Sequence, residues 1–501
     1  MQLRSLASLL LASFSGKAIY ALSSLLAVPL ATHLLGAEAM GVVGFFATVL
    51  MVLMVAEGGL TSSIIHRMAR SVVASQERAT RNKDADLSMV STYFATFFAL
   101  GTVVFLGLGC SSGWFVEHWL HFDGLGQESV RHSIWYMAGF IGLNFPVMLL
   151  QAVLVGKERQ MALSALYIPY SLLRTLGVLL PLYLLPDIRS VDNYFLFQAI
   201  VQVAYFLTLS WMAHRCTGFL PWLHGWKLSY LRRGYGYGRG VLLISVTSIV
   251  TTQYDKFYLS GHVSLKSFGY YTLATTLASV AYIFSTAFNS VLFPRMTAYF
   301  SEKDEMGLER IHTASLCIVS SALSLLCCAV FLFKDLLLSV LFLPEIAAGV
   351  SGVVAILMVG TSLQALLIVP FALQLATKWT TLAFRLNLAA IPVILIVLPL
   401  LVGLLGAQGA AWLWLSYNVY SVVLTFFFVC RRHSYLKGGV VVCLRVIVLS
   451  VLAGSLFFGV VRFISELATD QNYRLAGVIL AIMAAGLVSL LLNRKSLLAF
   501  K

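Results

Sequence analysis

Apolar runs of about 20 residues or more, separated only by short charged or turn-forming stretches, recur from one end of this chain to the other. A helix of that length crosses the hydrocarbon of a bilayer, and only helices and closed barrels satisfy their backbone groups there. The runs lie near 7–35, 40–66, 88–109, 132–155, 160–185 and 194–212, then near 240–261, 267–293, 311–333, 350–374, 383–403 and 410–429. Two more fall near 440–461 and 473–492. The pattern predicts an all-α integral membrane protein of about fourteen transmembrane helices. Charged residues make up 11% of the chain, against about 25% in soluble domains. That shortfall, spread along the whole length, excludes a sizeable soluble domain. The first run is too long for a signal-peptide core and carries Lys17, so it reads as an uncleaved first helix.

The net charge of +14 would point to nucleic acid in a soluble protein, but no basic stretch carries a base-reading motif. The cations instead sort by loop. With the N-terminus inside, 25 of the 34 Lys and Arg fall in alternate segments assigned to the cytoplasm, six fall in the opposite segments, and three lie within spans. By the positive-inside rule this predicts an inner-membrane protein with both termini cytoplasmic. Trp114, Trp119 and Trp135 flank the longest external loop, near 110–131, as ring systems prefer the headgroup layer. The stretch from Phe219 through Trp222 and Trp226 to Arg233 mixes bulky apolar and basic residues and reads as an interfacial linker.

The expected organisation is a six-helix bundle over 1–212, the linker over 213–239, a second six-helix bundle over 240–429, and two further helices with a cytoplasmic tail over 430–501. An internal repeat supports it. The segment opening at Gly41 aligns with the one opening at Gly269, each glycine starting an inward-running helix after a short external turn. A looser match pairs Pro146 and Gln151 with Pro370 and Gln374, in the fourth helix of each half. Transporters built from parallel repeats hold their substrate between the halves and rock them for alternating access.

Three stretches carry a resemblance to a known family. The first runs from Pro29 through His33, Gly36 and Glu38 to Gly41, followed by Glu57, Gly58, Gly59 and Leu60. The second comprises Asp255 and Lys256, then Ser267 to Tyr271 and Phe293 to Arg295, and the third opens at Gly406, Gly409 and Trp412. At these residues the chain resembles the polysaccharide-transport family of the multidrug/oligosaccharidyl-lipid/polysaccharide (MOP) exporter superfamily. It departs from the family's pattern at His33, where arginine is usual, and at Glu57, where aspartate is common. The resemblance implies two pseudo-symmetric six-helix bundles forming a V-shaped cavity, plus two C-terminal helices. It further implies export of undecaprenyl-pyrophosphate-linked oligosaccharide, such as an O-antigen repeat of lipopolysaccharide, to the periplasmic leaflet, with a polysaccharide polymerase as a partner.

Ionisable groups inside a membrane are costly, about 2.5–3.5 kcal/mol each at a helix centre, and therefore mark candidate sites. Lys17, Glu57, Arg174, Asp255 and Lys256 fall within spans. Lys17 and Glu57 lie at similar depth on successive helices, so either they neutralise each other or Lys17 faces substrate while Glu57 tunes it. Arg174, near the middle of the fifth span, suits bidentate contact with pyrophosphate or an acidic sugar. Asp255 and Lys256 point about 100° apart on one helix and are not expected to pair in the i,i+4 manner. Asp255 either takes a coupling proton or cation, or fixes its helix to a neighbour. Lys17, Arg174 and Lys256 are thus the candidate substrate-binding cations of a wet cleft between the bundles. Glu57 and Asp255 are their charge partners or the ion-coupling groups.

Other classes find less support. The seven cysteines have no metal-ligand spacing, and no metal or cofactor is expected. Neither a nucleophile–base arrangement nor a P-loop stands in the chain, and His118 and His121 of the external loop read as solvated, against a glycan polymerase or ligase. A drug/cation antiporter of the same superfamily usually stops at twelve helices. A peptidoglycan-precursor flippase stands closer.

Overall fold

The computed structural model describes residues 2–73, 76–217, 227–379 and 381–467. Most of the expected linker core, 218–226, and the last expected span, 473–492, lie outside the described residues. Within them every long element is a helix, and ten segments are long and apolar enough to cross a membrane. The protein is an all-α integral membrane protein. The chain divides into two compact units, Met1–Gly269 and Tyr270–Lys501.

The first unit opens with α1 (Gln2–Leu53), whose 52 residues would run about 78 Å if straight, far beyond a bilayer's hydrocarbon. It is two helices joined at Gly36, whose φ of 82° and ψ of 176° belong to a backbone region open essentially to glycine. The second of these does not run on to residue 66 as the apolar pattern predicts. It ends in a 3-10 turn, Met54–Glu57, and Gly58 and Gly59 follow at φ 65° and 73°. Helix α2 (Leu60–Val73) then starts afresh. Two consecutive left-handed residues break the ladder, and the Glu57 carboxylate accepts the orphaned Thr61 N–H at 3.2 Å.

Next come α3 (Gln76–Cys110), α4 (Gln127–Gly156) and α5 (Gln160–Leu172). The fifth span is also interrupted, by a π-turn at Leu173–Gly177, before resuming as α6 (Leu179–Leu184). Helices α7 (Val191–Thr217) and α8 (Leu228–His262) complete the unit, and the division falls inside α9 (Leu265–Ala278). Close approaches pass through glycines. A β-carbon on Gly101 would strike the carbonyl of Gly142, locking α3 to α4. One on Gly41 would strike the Leu265 carbonyl, and one on Gly269 the Ala37 carbonyl, so the two repeat-related glycines lie at a single helix crossing.

The second unit comprises α10 (Val280–Ser301), α11 (Glu305–Leu341), α12 (Pro344–Leu366), α13 (Ile368–Ala376), α14 (Thr381–Leu405), α15 (Ala407–Arg432) and α16 (Lys437–Leu467). Helix α16 packs along α11 through a seam of small residues. Gly439 abuts Thr313, Gly454 abuts Cys328, and Ser450 Oγ donates to Ser321 Oγ at 3.1 Å. The first of the two additional helices is therefore an integral part of this unit. Val393, Ile396, Leu400 and Leu404 of α14 share one face and are 57–79% exposed, an apolar stripe suited to acyl chains.

The same turn ends α4 in the first unit and α13 in the second. Glu158 and Lys378 each adopt φ 57°. Each next residue donates back to the helix: Arg159 N–H to Leu154 O at 2.9 Å, and Trp379 N–H to Gln374 O at 2.7 Å. The Pro146 and Pro370 segments thus belong to helices that close alike.

Candidate functional site

Arg174 sits in the π-turn Leu173–Gly177, a local widening of the helix that such sites often use to re-aim a side chain. Its guanidinium lies 4.5 Å from the centre of the Phe140 ring, on α4. Tyr170 shares a side-chain hydrogen bond with it, and the phenols of Tyr20, Tyr194 and Tyr167 lie within electrostatic range. Tyr167, Tyr170 and Arg174 follow i, i+3, i+7 spacing, which puts them on one face. Tyr194 comes from α7 and Tyr20 from α1. Among the described residues no carboxylate forms an ion pair with Arg174. A desolvated cation over a ring face, as here over Phe140, is stabilised by about 2 kcal/mol, and a guanidinium keeps its charge for an incoming anion.

Polar side chains extend from this cage through the apolar interior. Tyr170 stacks on Tyr205 with ring centres 3.9 Å apart, and its hydroxyl donates to Gln202 Oε1 at 2.6 Å. Gln202 Nε2 reaches Asn144 Oδ1 at 3.4 Å, and Asn144 Nδ2 contacts Met54 Sδ at 3.0 Å. Gln151 Nε2 donates to the Tyr205 hydroxyl at 3.0 Å. Buried amides at this depth need such partners, and each bond is worth about 0.6 kcal/mol in a membrane interior. The chain of contacts ends at the broken second span.

Glu57 lies there, partly buried, in the wall of a cavity of about 390 Å³ with Met51, Met54, Met148, Ser245 and Ser248. Its carboxylate sits at the start of α2, where the helix dipole favours a negative charge. The helix α1 passes through Lys17, but the Lys17 side chain lies outside the described residues, as does the expected pairing with Glu57.

Asp255 and Lys256 do meet, contrary to the helical-wheel expectation. Lys256 Nζ stands 3.3 Å from Asp255 Oδ1 and donates to Thr252 O at 2.9 Å. The lysine stem is long enough to curl back across the angle between neighbours, and a buried Asp255 (9% exposed) rewards it for doing so. Lys256 is therefore a compensated charge. The first unit thus contains a phenol-caged Arg174, a helix-capping Glu57 and an internally paired Asp255–Lys256. The cage residues Tyr20, Phe140, Tyr167, Tyr170 and Tyr194 went unread in the sequence, although the spacing of Tyr167, Tyr170 and Arg174 was a usable signal.

No protein-family profile matches the sequence. A comparison with curated proteins likewise found no match. Solved structures do match. A lipid II flippase, MurJ, in an inward closed conformation, superposes with a TM-score of 0.68 at 12% identity, over 98% of this chain and 99% of that one. An inward-facing multidrug-resistance MATE family transporter of the MOP superfamily gives 0.66 at 14% identity, over 83% of this chain and 96% of that one. A MOP superfamily transporter from Pyrococcus furiosus gives 0.57 at 13% identity, over 85% and 95%. The chain has the fold of the lipid II flippase structure across nearly its whole length, and that of the two MOP-superfamily transporters over more than four-fifths of it.

Proposed function

We propose that the chain is a flippase for polyprenyl-pyrophosphate-linked oligosaccharide, moving it from the cytoplasmic to the periplasmic leaflet of the inner membrane by alternating access. The observation that supports this most is the extent of the structural likeness. The lipid II flippase accounts for 98% of the chain, whereas the MATE transporter leaves a share comparable with the length of 430–501. These neighbours are transporters, in keeping with a chain that moves its substrate without covalent change.

In this reading Arg174 meets the diphosphate. An anion entering the aromatic cage replaces phenol hydroxyls as the guanidinium's partner, and bidentate contact fixes its orientation. Glu57, at the helix break, is the candidate for a coupling proton or cation. Asp255 and Lys256 act as a pair, so that substrate or ion binding to one frees the other. Lys17 supplies a further cation. The polyprenyl tail stays in the lipid, and a polysaccharide polymerase receives the product.

The likeness to the MurJ structure favours a second reading on the same chemistry, with a peptidoglycan precursor as cargo. Complementation separates the two. In cells lacking their own O-antigen flippase, expression should restore surface O-antigen. Rescue of cells depleted of their lipid II flippase instead would assign the peptidoglycan precursor. Rescue of neither, with the protein present in the membrane, would overturn the proposal.

A further inference from the structure

The loop between α3 and α4 holds two helix corners at once. Toward the turn between α8 and α9, the Trp119 indole N–H donates to Ser260 Oγ at 3.1 Å. Its ring lies 5.1 Å from that of Phe257 and covers Gly261 so closely that a β-carbon there would sit 2.6 Å from the indole. The Leu265 N–H donates to the His121 carbonyl at 2.6 Å. Toward the turn within α1, the Glu38 carboxylate accepts the Asp123 and Gly124 N–H groups at 3.2 and 2.9 Å. A β-carbon on Gly124 would meet that carboxylate at 2.9 Å. The indole demands a hydrogen-bond acceptor, the carboxylate demands donors, and the two glycines make room for both. Beneath the loop the same two corners touch at the Gly41–Gly269 crossing.

We propose that this loop is a latch: Trp119 and His121 grip the α8–α9 corner, Glu38 grips the loop from the α1 corner, and the two corners part only when the latch lets go. The inference rests on the alternating-access reading with the bundles divided as the sequence divides them, 1–212 and 240–429, which sets the α1 corner in one bundle and the α8–α9 corner in the other, so that opening of the face assigned to the outside separates them. Trp119 of the longest external loop thereby gains a role for its side chain, and His121 one for its backbone carbonyl. Trp119 and Glu38 are positioning residues that bias a conformational equilibrium.

Hydrogen exchange on the full-length protein in lipid nanodiscs tests it. Glu38→Ala removes an acceptor whose hydrogen bonds, among the described residues, come from the loop. A latch predicts that exchange rises about tenfold both at residues 119–126 and, across the latch, at the Leu265 amide. Trp119→Phe, which keeps a ring on Gly261 and loses only the N–H, should accelerate Leu265 less than Trp119→Ala does. Faster exchange at residues 119–126 with Leu265 unchanged in Glu38→Ala would overturn the latch, because the loop would then hold each corner independently. Translocation of lipid-linked sugar by the same variants keeps the two readings apart. Coupled exchange without any translocation by the unsubstituted protein would sink the flippase reading and leave the latch standing. Translocation with uncoupled exchange would do the reverse.

Discussion

Gly269 lies against Gly41 so closely that a β-carbon on Gly269 would stand 3.1 Å from the Gly41 backbone nitrogen. The two residues align when the two halves of the sequence are compared, and the absence of a side chain at each lets the helices approach. Such a crossing gains dispersion contact and is intolerant of any added atom, since backbone rather than a movable side chain stands in the way.

Gly41→Ala and Gly269→Ala should each lower stability by about 1–3 kcal/mol, because both would force backbone apart. Gly107→Ala, with nothing within 4 Å of its added carbon, should be neutral or slightly stabilising. Thermal unfolding in detergent checks the contrast. Gly36→Ala is expected to destabilise by a separate route, with open space around it but a backbone region that costs about 1–3 kcal/mol.

Arg174→Lys should cut translocation more than tenfold while leaving membrane insertion intact, since a point-charge ammonium cannot chelate a diphosphate as a planar fork does. Tyr170→Phe, which breaks the bond to Gln202 and keeps the stack on Tyr205, should give a milder loss. The check is initial translocation rate at matched protein density, with near-normal rates for Arg174→Lys counting against its role.

At the helix break, Glu57→Gln retains an acceptor for the Thr61 N–H and should cost little stability. Glu57→Ala removes it and should cost about 0.5–2 kcal/mol, the usual worth of a helix cap. If Glu57 also carries the coupling charge, Glu57→Gln should be stable and inactive. Parallel measurements of unfolding and translocation separate the two roles.

Asp255 and Lys256 should show strong coupling in a double-mutant cycle. Lys256→Met alone takes the ammonium away from a buried carboxylate and is expected to lower stability measurably. Combining it with Asp255→Asn should recover most of that loss. Additive effects would mean that the 3.3 Å contact contributes nothing.

How much of this was legible depends on the range of the interaction involved. Helix number and class follow from apolar run length, a local property. Gly41 and Gly269 were visible as matched positions, but no sequence pattern states that they touch each other. The break after Glu57 was hidden because the apolar run continues through it, although paired glycines at 58 and 59 are a recognisable interruption. Arg174 stood out as a lone cation. Its cage did not, because Phe140, Tyr194 and Tyr20 come from three other helices and their phase relative to Arg174 is a tertiary fact. The helical wheel misjudged Asp255 and Lys256 since it tracks Cβ directions and ignores how far a lysine stem reaches.

The most direct test of the central claim is translocation by the purified chain in liposomes loaded with a fluorescent polyprenyl-pyrophosphate-linked oligosaccharide. The account predicts that the sugar becomes accessible to an impermeant reagent on the far face, chemically unchanged, and that Arg174→Ala abolishes the movement. Sugar that stays on its original face with the unsubstituted, folded protein present would contradict it.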